Sequence, residues 1–260
     1  MAPPSETPRA RDRPFTSSEL DRALDLLDIA IGKSDLLAAL VPIRFVCFGG
    51  VLAVKVFRNR DDTEDIDVLL DPSVEDKQMY NDELRRVIST VAIADRYQQD
   101  WFSDACRLFI AHEKRPALFA KSVAQNIVVY RGRNLVLYAA SLEIALERKL
   151  RRLDSNQTDR DRSLDISDAV AMVHAMKDEH PIAQSYLLAL DMNDFRESVK
   201  QSSIDLIAEE YLRKHQQQGV VDMMWDEERQ CHTYKNPGGE SVFVLPKENG
   251  YYEYETQPNS

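Results

Sequence analysis

The chain has 260 residues, with 33 Lys and Arg against 44 Asp and Glu and a formal net charge of −11 at neutral pH. That length can bury a sizeable core as one large domain or two small ones, and the acidic balance argues against broad, non-specific binding to a nucleic-acid backbone, which needs a cationic footprint. The three cysteines, Cys47, Cys106 and Cys231, are odd in number and widely spaced, so neither a disulfide framework nor a metal-ligand spacing is expected.

Residues 1–15, rich in Pro, Arg and Asp, are expected to form a disordered tail. Thr16-Ser17-Ser18-Glu19 reads as a capping box, and Leu20, Leu24, Leu27 and Ile31 follow at helical spacing, so a helix of about four turns is expected. Residues 43–48 read as a buried strand that stops at Gly49-Gly50, with Cys47 a small buried hydrophobe. A short helix over 51–57 and a polar connection over 58–64 lead to a second strand, 65–70, closed by Asp71-Pro72. Residues 74–92 read as helix, and Cys106 to His112, Asn126 to Tyr130 and Leu135 to Tyr138 as further strands.

From Ser141 the period becomes helical: 141–153, then, after the polar stretch Asp154 to Arg160, 164–177, 181–191 and 202–216. In the tail, Asn236-Pro237-Gly238-Gly239 separates two strand-like runs and predicts a hairpin, with Tyr251-Tyr252-Glu253-Tyr254 as a third strand. Trp225, Tyr234, Tyr251, Tyr252 and Tyr254 lie among acids, which favours packing on the main domain or a protein partner over stacking on nucleic-acid bases. The expected architecture is α+β: a tail (1–15), a core (16–140), a helical region (141–218) and a β-hairpin tail (219–260). No apolar run approaches a membrane-spanning length, and the N-terminus lacks the apolar core of a signal peptide, so an intracellular location, cytoplasmic or nuclear, is the default expectation.

Two short segments carry chemistry. Adjacent glycines after a strand leave the backbone bare, so a phosphate can approach main-chain N–H groups; the other reading of Gly49-Gly50 is a tight turn that needs positive φ. In Asp65-Ile66-Asp67-Val68 the strand alternation points both carboxylates the same way. Their mutual repulsion is relieved by a hard divalent cation with oxygen ligands.

The combination h-G-[GS], a variable helix, then D-h-D-h resembles the nucleotidyltransferase superfamily built on the DNA polymerase β-like core. It stands here as Phe48-Gly49-Gly50 and Asp65-Ile66-Asp67-Val68. Within that superfamily the chain is most similar to AbiEii-type small nucleotidyltransferase-like proteins. Their R-x-T-x-D-h-D compares with Arg60-Asp61-Asp62-Thr63-Glu64-Asp65-Ile66-Asp67, one residue longer between the Arg and the Thr. The resemblance covers roughly residues 18–178. It implies a nucleotidyltransferase-like mixed sheet flanked by helices, Asp65 and Asp67 as catalytic Mg²⁺ ligands, Gly49 and Gly50 against the triphosphate, and Thr63 in an auxiliary place. The implied reaction transfers NMP from an NTP to a hydroxyl of a small molecule, a protein side chain or an RNA end, with extended nucleic acid the least expected acceptor.

Lys149 falls within the apolar stripe Leu142, Ala145, Leu146, Leu150 and Leu153 of the 141–153 helix, where a lysine either snorkels or meets an anion. The resemblance implies a nucleotide-binding role at the triphosphate, and Arg162, Asp165 and Asp168 match the later R…D-h-x-D helix of such proteins. The other reading is that Lys149 pairs with Asp165 and locks two helices together.

Enzymes of the superfamily generally use a third carboxylate, on a later strand beside the first two. Its expected place is Gln125 to Tyr130, which contains no acid. Asn126 can coordinate through its carbonyl but cannot take a proton. Glu113 is the nearest alternative, followed by Asp104, with His112 as a further base. Three readings stay open: a working transferase, a catalytically silent member that binds a nucleotide or a protein, and an interaction module using the helical half and the aromatic tail.

Overall fold

The computed structural model describes residues 14–75, 77–154, 162–177, 180–246 and 252–254; the expected N-terminal tail up to residue 13, most of the polar stretch 154–160, and Tyr251 lie outside them. The chain divides into two compact units, Met1–Ala145 and Leu146–Ser260. The class is α+β, with a mixed five-stranded sheet and smaller sheets. No helix among the described residues is long and apolar enough to cross a membrane.

In the first unit β1 (Phe15–Thr16) runs straight into α1 (Ser17–Gly32). Thr16 caps α1: its hydroxyl accepts from the Glu19 N–H, and its own N–H donates to the Glu19 carboxylate at 3.0 Å, so two otherwise orphaned donors are satisfied reciprocally. The stripe Leu20, Leu24, Leu27 and Ile31 is wholly buried. Asp28 shares that face. Its carboxylate accepts from the N–H groups of Asn134 (2.7 Å) and Leu135 (2.8 Å), which ties α1 to a strand more than a hundred residues on.

β2 (Ile43–Phe48) leads into α2 (Gly50–Leu52), continued by a π-helical stretch, Ala53–Phe57. β3 (Asp62–Thr63) pairs with β1, and β4 (Ile66–Leu70) follows. Asp71 closes that strand: its carboxylate caps Ser73 and holds the Arg44 guanidinium, and α3 (Pro72–Glu75) begins beyond it. The helix expected over 74–92 is two elements, α3 and α4 (Gln78–Asp95), with Lys77 in extended geometry at the α4 N-terminus.

β5 (Phe102–Ser103) is short and held by its side chains. Trp101 stacks among Phe15 (6.0 Å), Tyr97 (5.2 Å) and Phe102 (5.5 Å), and Phe102 meets Phe45 edge-on at 5.1 Å. Such aromatic pairs each add about 0.5–1.5 kcal/mol beyond the area they bury.

The strand expected over 106–112 is instead 3-10 helical, over Ala105–Phe109 and again over His112–Lys114. Strand alternation would bury positions 106, 108 and 110 together, but Leu108 is 77% exposed and Phe109 68%, while Cys106 and Ile110 are buried at i, i+4 spacing. The Cys106 thiol donates to the Val68 carbonyl, which pins this turn to β4. α5 (Arg115–Gln125) comes next and ends at Asn126 in left-handed geometry. β6 (Val128–Arg131) and β7 (Leu135–Ala139) complete the unit. Sheet order is β5-β4-β2-β7-β6; β2 is antiparallel to β4 and parallel to β7, and β5 is parallel to β4.

α6 (Leu142–Asp154) passes from the first unit into the second. There follow α7 (Arg162–Met176), β8 (Ile182–Ala183), α8 (Gln184–Leu188), α9 (Gln201–His215) and β9 (Val220–Val221), with β8 and β9 paired in parallel. The helix expected over 181–191 is thus shortened at both ends. The expected hairpin is part of a four-stranded antiparallel sheet: β10 (Met224–Asp226), β11 (Cys231–Lys235), β12 (Ser241–Pro246) and β13 (Tyr252–Tyr254). At its turn Gly239 adopts φ +81°, and the Asn236 side chain accepts from the Glu240 N–H at 2.9 Å.

Candidate functional site

β2 and β4 run antiparallel with Phe48 opposite Asp67, so the glycine pair that ends one strand lies beside the carboxylates of the other. Gly49 has φ +72° and ψ −141°, a conformation closed to residues with a side chain, and it turns the chain from strand into helix. A Cβ placed on Gly49 would sit 3.4 Å from the Asp67 Oδ2. The carboxylate and the bare backbone therefore share one small space. The tight turn with positive φ, one of the two readings of the pair, is present at Gly49, which is half-buried.

Gly50 serves packing. A Cβ there would fall 2.8 Å from the Thr63 Cβ, closer still to its hydroxyl, and 3.8 Å from an Arg60 guanidinium nitrogen. Thr63 is buried, and its hydroxyl donates to the Asp65 carbonyl. The connection after the helix thus folds back over the glycine pair and joins the two motifs. Gly50→Ala is expected to lose about 1–3 kcal/mol in denaturant unfolding, the usual cost of overpacking. Thr63→Ala in the same chain should restore only part of that, because the Cβ–Cβ clash survives.

Asp65 and Asp67 are both half-buried, so solvent and ligand reach them. On the far side of β4 the register sets Ile66 opposite Phe102 and Asp67 opposite Ser103. This register decides which residue stands next to Asp67 on that side. The run 125–130 lies at or near β6, at the opposite edge of the sheet, with β2 and β7 in between. Asn126 is a helix C-cap rather than a strand residue, and Glu113 and His112 lie exposed on a 3-10 turn rather than at a strand end. The side chain beside Asp67 is Ser103. Asp104 follows it, its carboxylate facing the guanidinium groups of Arg107 (3.3 Å) and Arg85 (3.6 Å). Two residues near the motifs carry little or no signal in the sequence. Ser103 lies on a strand too short to show a period, and Arg60 was visible only as a motif letter.

Among the described residues no three or more His, Cys, Asp or Glu side chains are grouped to hold a metal ion. A pair of carboxylates still suits Mg²⁺, which commonly takes one or two from a protein and the rest of its oxygens from substrate phosphates and water. Cys47 is on the other face of β2 and takes no part. Burial pushes its thiol well above the ordinary range, and the nearby Cys106 and the charge of Asp67 add to that. A cavity of about 260 Å³ lies between α4 and the sheet, floored by Phe45, Val68, Leu70 and Phe102 on the face away from Asp67, and its rim is reached by Ser103 and Asp104 at the end of β5.

Lys149 belongs to the second unit and is 4% exposed there. Its ammonium donates to Asp165 at 2.6 Å and to Asp168 at 2.5 Å, so the pairing with Asp165 is present and Asp168 extends it. Asp165 also accepts from Arg152 at 2.8 Å. Burial and the Arg152 charge draw the Lys149 pKa below the ordinary lysine range, against the pull of the two carboxylates. Arg162 lies exposed on the first turn of α7.

The fold and the site together define an α+β protein with the Asp67 carboxylate set against a glycine turn on a mixed sheet and Asp65 two residues before it. Compared with known proteins, the chain matches no family model, no curated protein and no solved structure.

Proposed function

We propose that this chain is a Mg²⁺-dependent nucleotidyltransferase-like protein that transfers NMP from an NTP to a hydroxyl acceptor, its first unit being the nucleotidyltransferase-like core. The observation that carries this reading is the approach of the Asp67 carboxylate to Gly49, at the point where β2 gives way to a helix. One small space then offers an anionic ligand for a cation and bare backbone for a phosphate. Arg60, lying against Gly50, adds a positive charge at the same place. Mg²⁺ held by Asp65 and Asp67 would neutralise charge developing on the phosphates as pyrophosphate leaves. Gly49 and Gly50 present main-chain N–H groups, and Thr63 fixes the spacing between the motifs.

A second reading, a catalytically silent member that binds nucleotide or a protein, draws on one observation: a serine, not an acid, stands opposite Asp67 on the neighbouring strand. The acceptor in the first reading is a small molecule or a protein. A protein partner has a surface on the edge strand β10, where Met224 and Trp225 are exposed. The test is equilibrium binding of labelled ATP, CTP, GTP and UTP with and without Mg²⁺, followed by pyrophosphate release. Mg²⁺-dependent binding with sustained release supports transfer, binding without release supports the silent reading, and no binding rejects both.

A further inference from the structure

We infer that an acceptor of this site is the chain's own Ser103, so that the protein nucleotidylates itself beside Asp67. The inference rests on the Mg²⁺–NTP reading and deepens it by naming an acceptor. Residues in register on parallel strands point to the same face, and adjacent strands lie about 4.8 Å apart. The pairing of Asp67 with Ser103 therefore places a hydroxyl-bearing residue one strand spacing from the carboxylate proposed to hold the cation.

Other hydroxyls near the motif are less suited. Thr63 is buried against Gly50, with its hydroxyl donating to the Asp65 carbonyl. Ser103 is half-exposed, and its oxygen accepts from the Ala105 N–H at 3.1 Å. That contact fixes the rotamer and leaves a second lone pair to attack and a proton to give up. The neighbouring acid, Asp104, faces Arg85 and Arg107, which turns its charge away from competition for the cation.

In the step, Ser103 Oγ forms a bond to the α-phosphorus. The bond from that phosphorus to the α–β bridging oxygen breaks, pyrophosphate leaves with the electron pair, and the hydroxyl proton passes to water. Nothing is oxidised or reduced, and the co-reactants are a nucleoside triphosphate and a divalent cation. The product is a phosphodiester between Ser103 and a nucleoside, lodged in the site that made it. The reaction stops at one event per chain, and the modified chain is closed to further NTP.

The experiment incubates the full chain with Mg²⁺ and each of the four α-labelled NTPs, then reads the intact mass, the labelled peptide and Mg²⁺-dependent nucleotide binding. The expected result is a mass gain of a single NMP, at most one per chain, on the peptide containing Ser103. It should be absent in Ser103→Ala and Asp67→Asn, and present but slower in Ser103→Thr. Binding or pyrophosphate release with no adduct, or an adduct mapped to another residue, overturns the inference and leaves the Mg²⁺–NTP reading standing. No Mg²⁺-dependent binding by the unaltered chain overturns both. Because the site is mapped on the unaltered protein, a variant that fails to fold does not shield the inference.

Discussion

Asp67→Asn raises the dissociation constant for a Mg²⁺–nucleoside triphosphate at least tenfold and leaves the unfolding midpoint of the metal-free protein unchanged or slightly higher. The register of β4 rests on backbone pairing with β2 and β5, and asparagine fills the same volume, so the sheet is kept. What changes is charge. A cation with two anionic protein ligands loses one, and at an effective dielectric of about 20 a unit charge at about 4 Å is worth roughly 4 kcal/mol before compensation by water. Tenfold, about 1.4 kcal/mol, is a conservative remainder. In the metal-free protein the sign reverses. Asp65 immediately precedes β4 and Asp67 lies within it, so the two charges are close in the chain, and removing one relieves repulsion of a few tenths of a kcal/mol in a wet setting. A carboxylate kept for structure behaves the other way, with stability falling and binding indifferent. Calorimetric titration and thermal unfolding of the same two proteins separate these outcomes, and a stability loss above about 1 kcal/mol with unchanged binding would falsify the metal-ligand role.

The same residues show what a sequence discloses and what it withholds. The glycine stop and the Thr16–Glu19 box are local patterns, and the structure has each where the pattern puts it; the strand expected over 65–70 starts at Ile66, so of the two aspartates only Asp67 lies in it. Lys149 was legible as a cation in an apolar stripe, and Asp165 as its partner, because helical geometry alone places residues on faces. The neighbour of Asp67 was not legible. β5 is two residues long, held by an aromatic cluster drawn from Phe15, Phe45, Tyr97 and Trp101, none of which leaves a period at 102–103. Sheet order depends on such long-range contacts, so the expectation that sets Asn126 beside the aspartates fails: Asn126 caps α5, and β6, which follows it, is at the far edge. The run 106–112 misled for a related reason. Its apolar residues suggest a strand by composition, but two of them, Leu108 and Phe109, face solvent. The site's local half was readable, then, and its cross-strand half was not.

Lys149→Met should destabilise the second unit by about 3–5 kcal/mol, the usual cost of removing one partner from a buried ion pair. The magnitude follows from what is left behind. Asp168 is 0% exposed and loses an ammonium 2.5 Å away, while Asp165 keeps Arg152 at 2.8 Å and is better placed to tolerate the change. The penalty therefore comes mainly from the charge of Asp168, the wholly buried carboxylate of the two. Methionine fills the lysine stem's place among Leu146, Leu150 and Leu153, all buried, so cavity formation contributes little. The charge argument has its own control. Adding Asp168→Leu to Lys149→Met removes the buried anion and should recover most of the loss, since apolar replacement of a buried pair is often neutral or stabilising. A packing role for the lysine stem predicts instead that the double variant is no better than the single one. Urea unfolding followed by a probe in the second unit distinguishes the two through the midpoint, with an unchanged slope confirming that native compactness is retained.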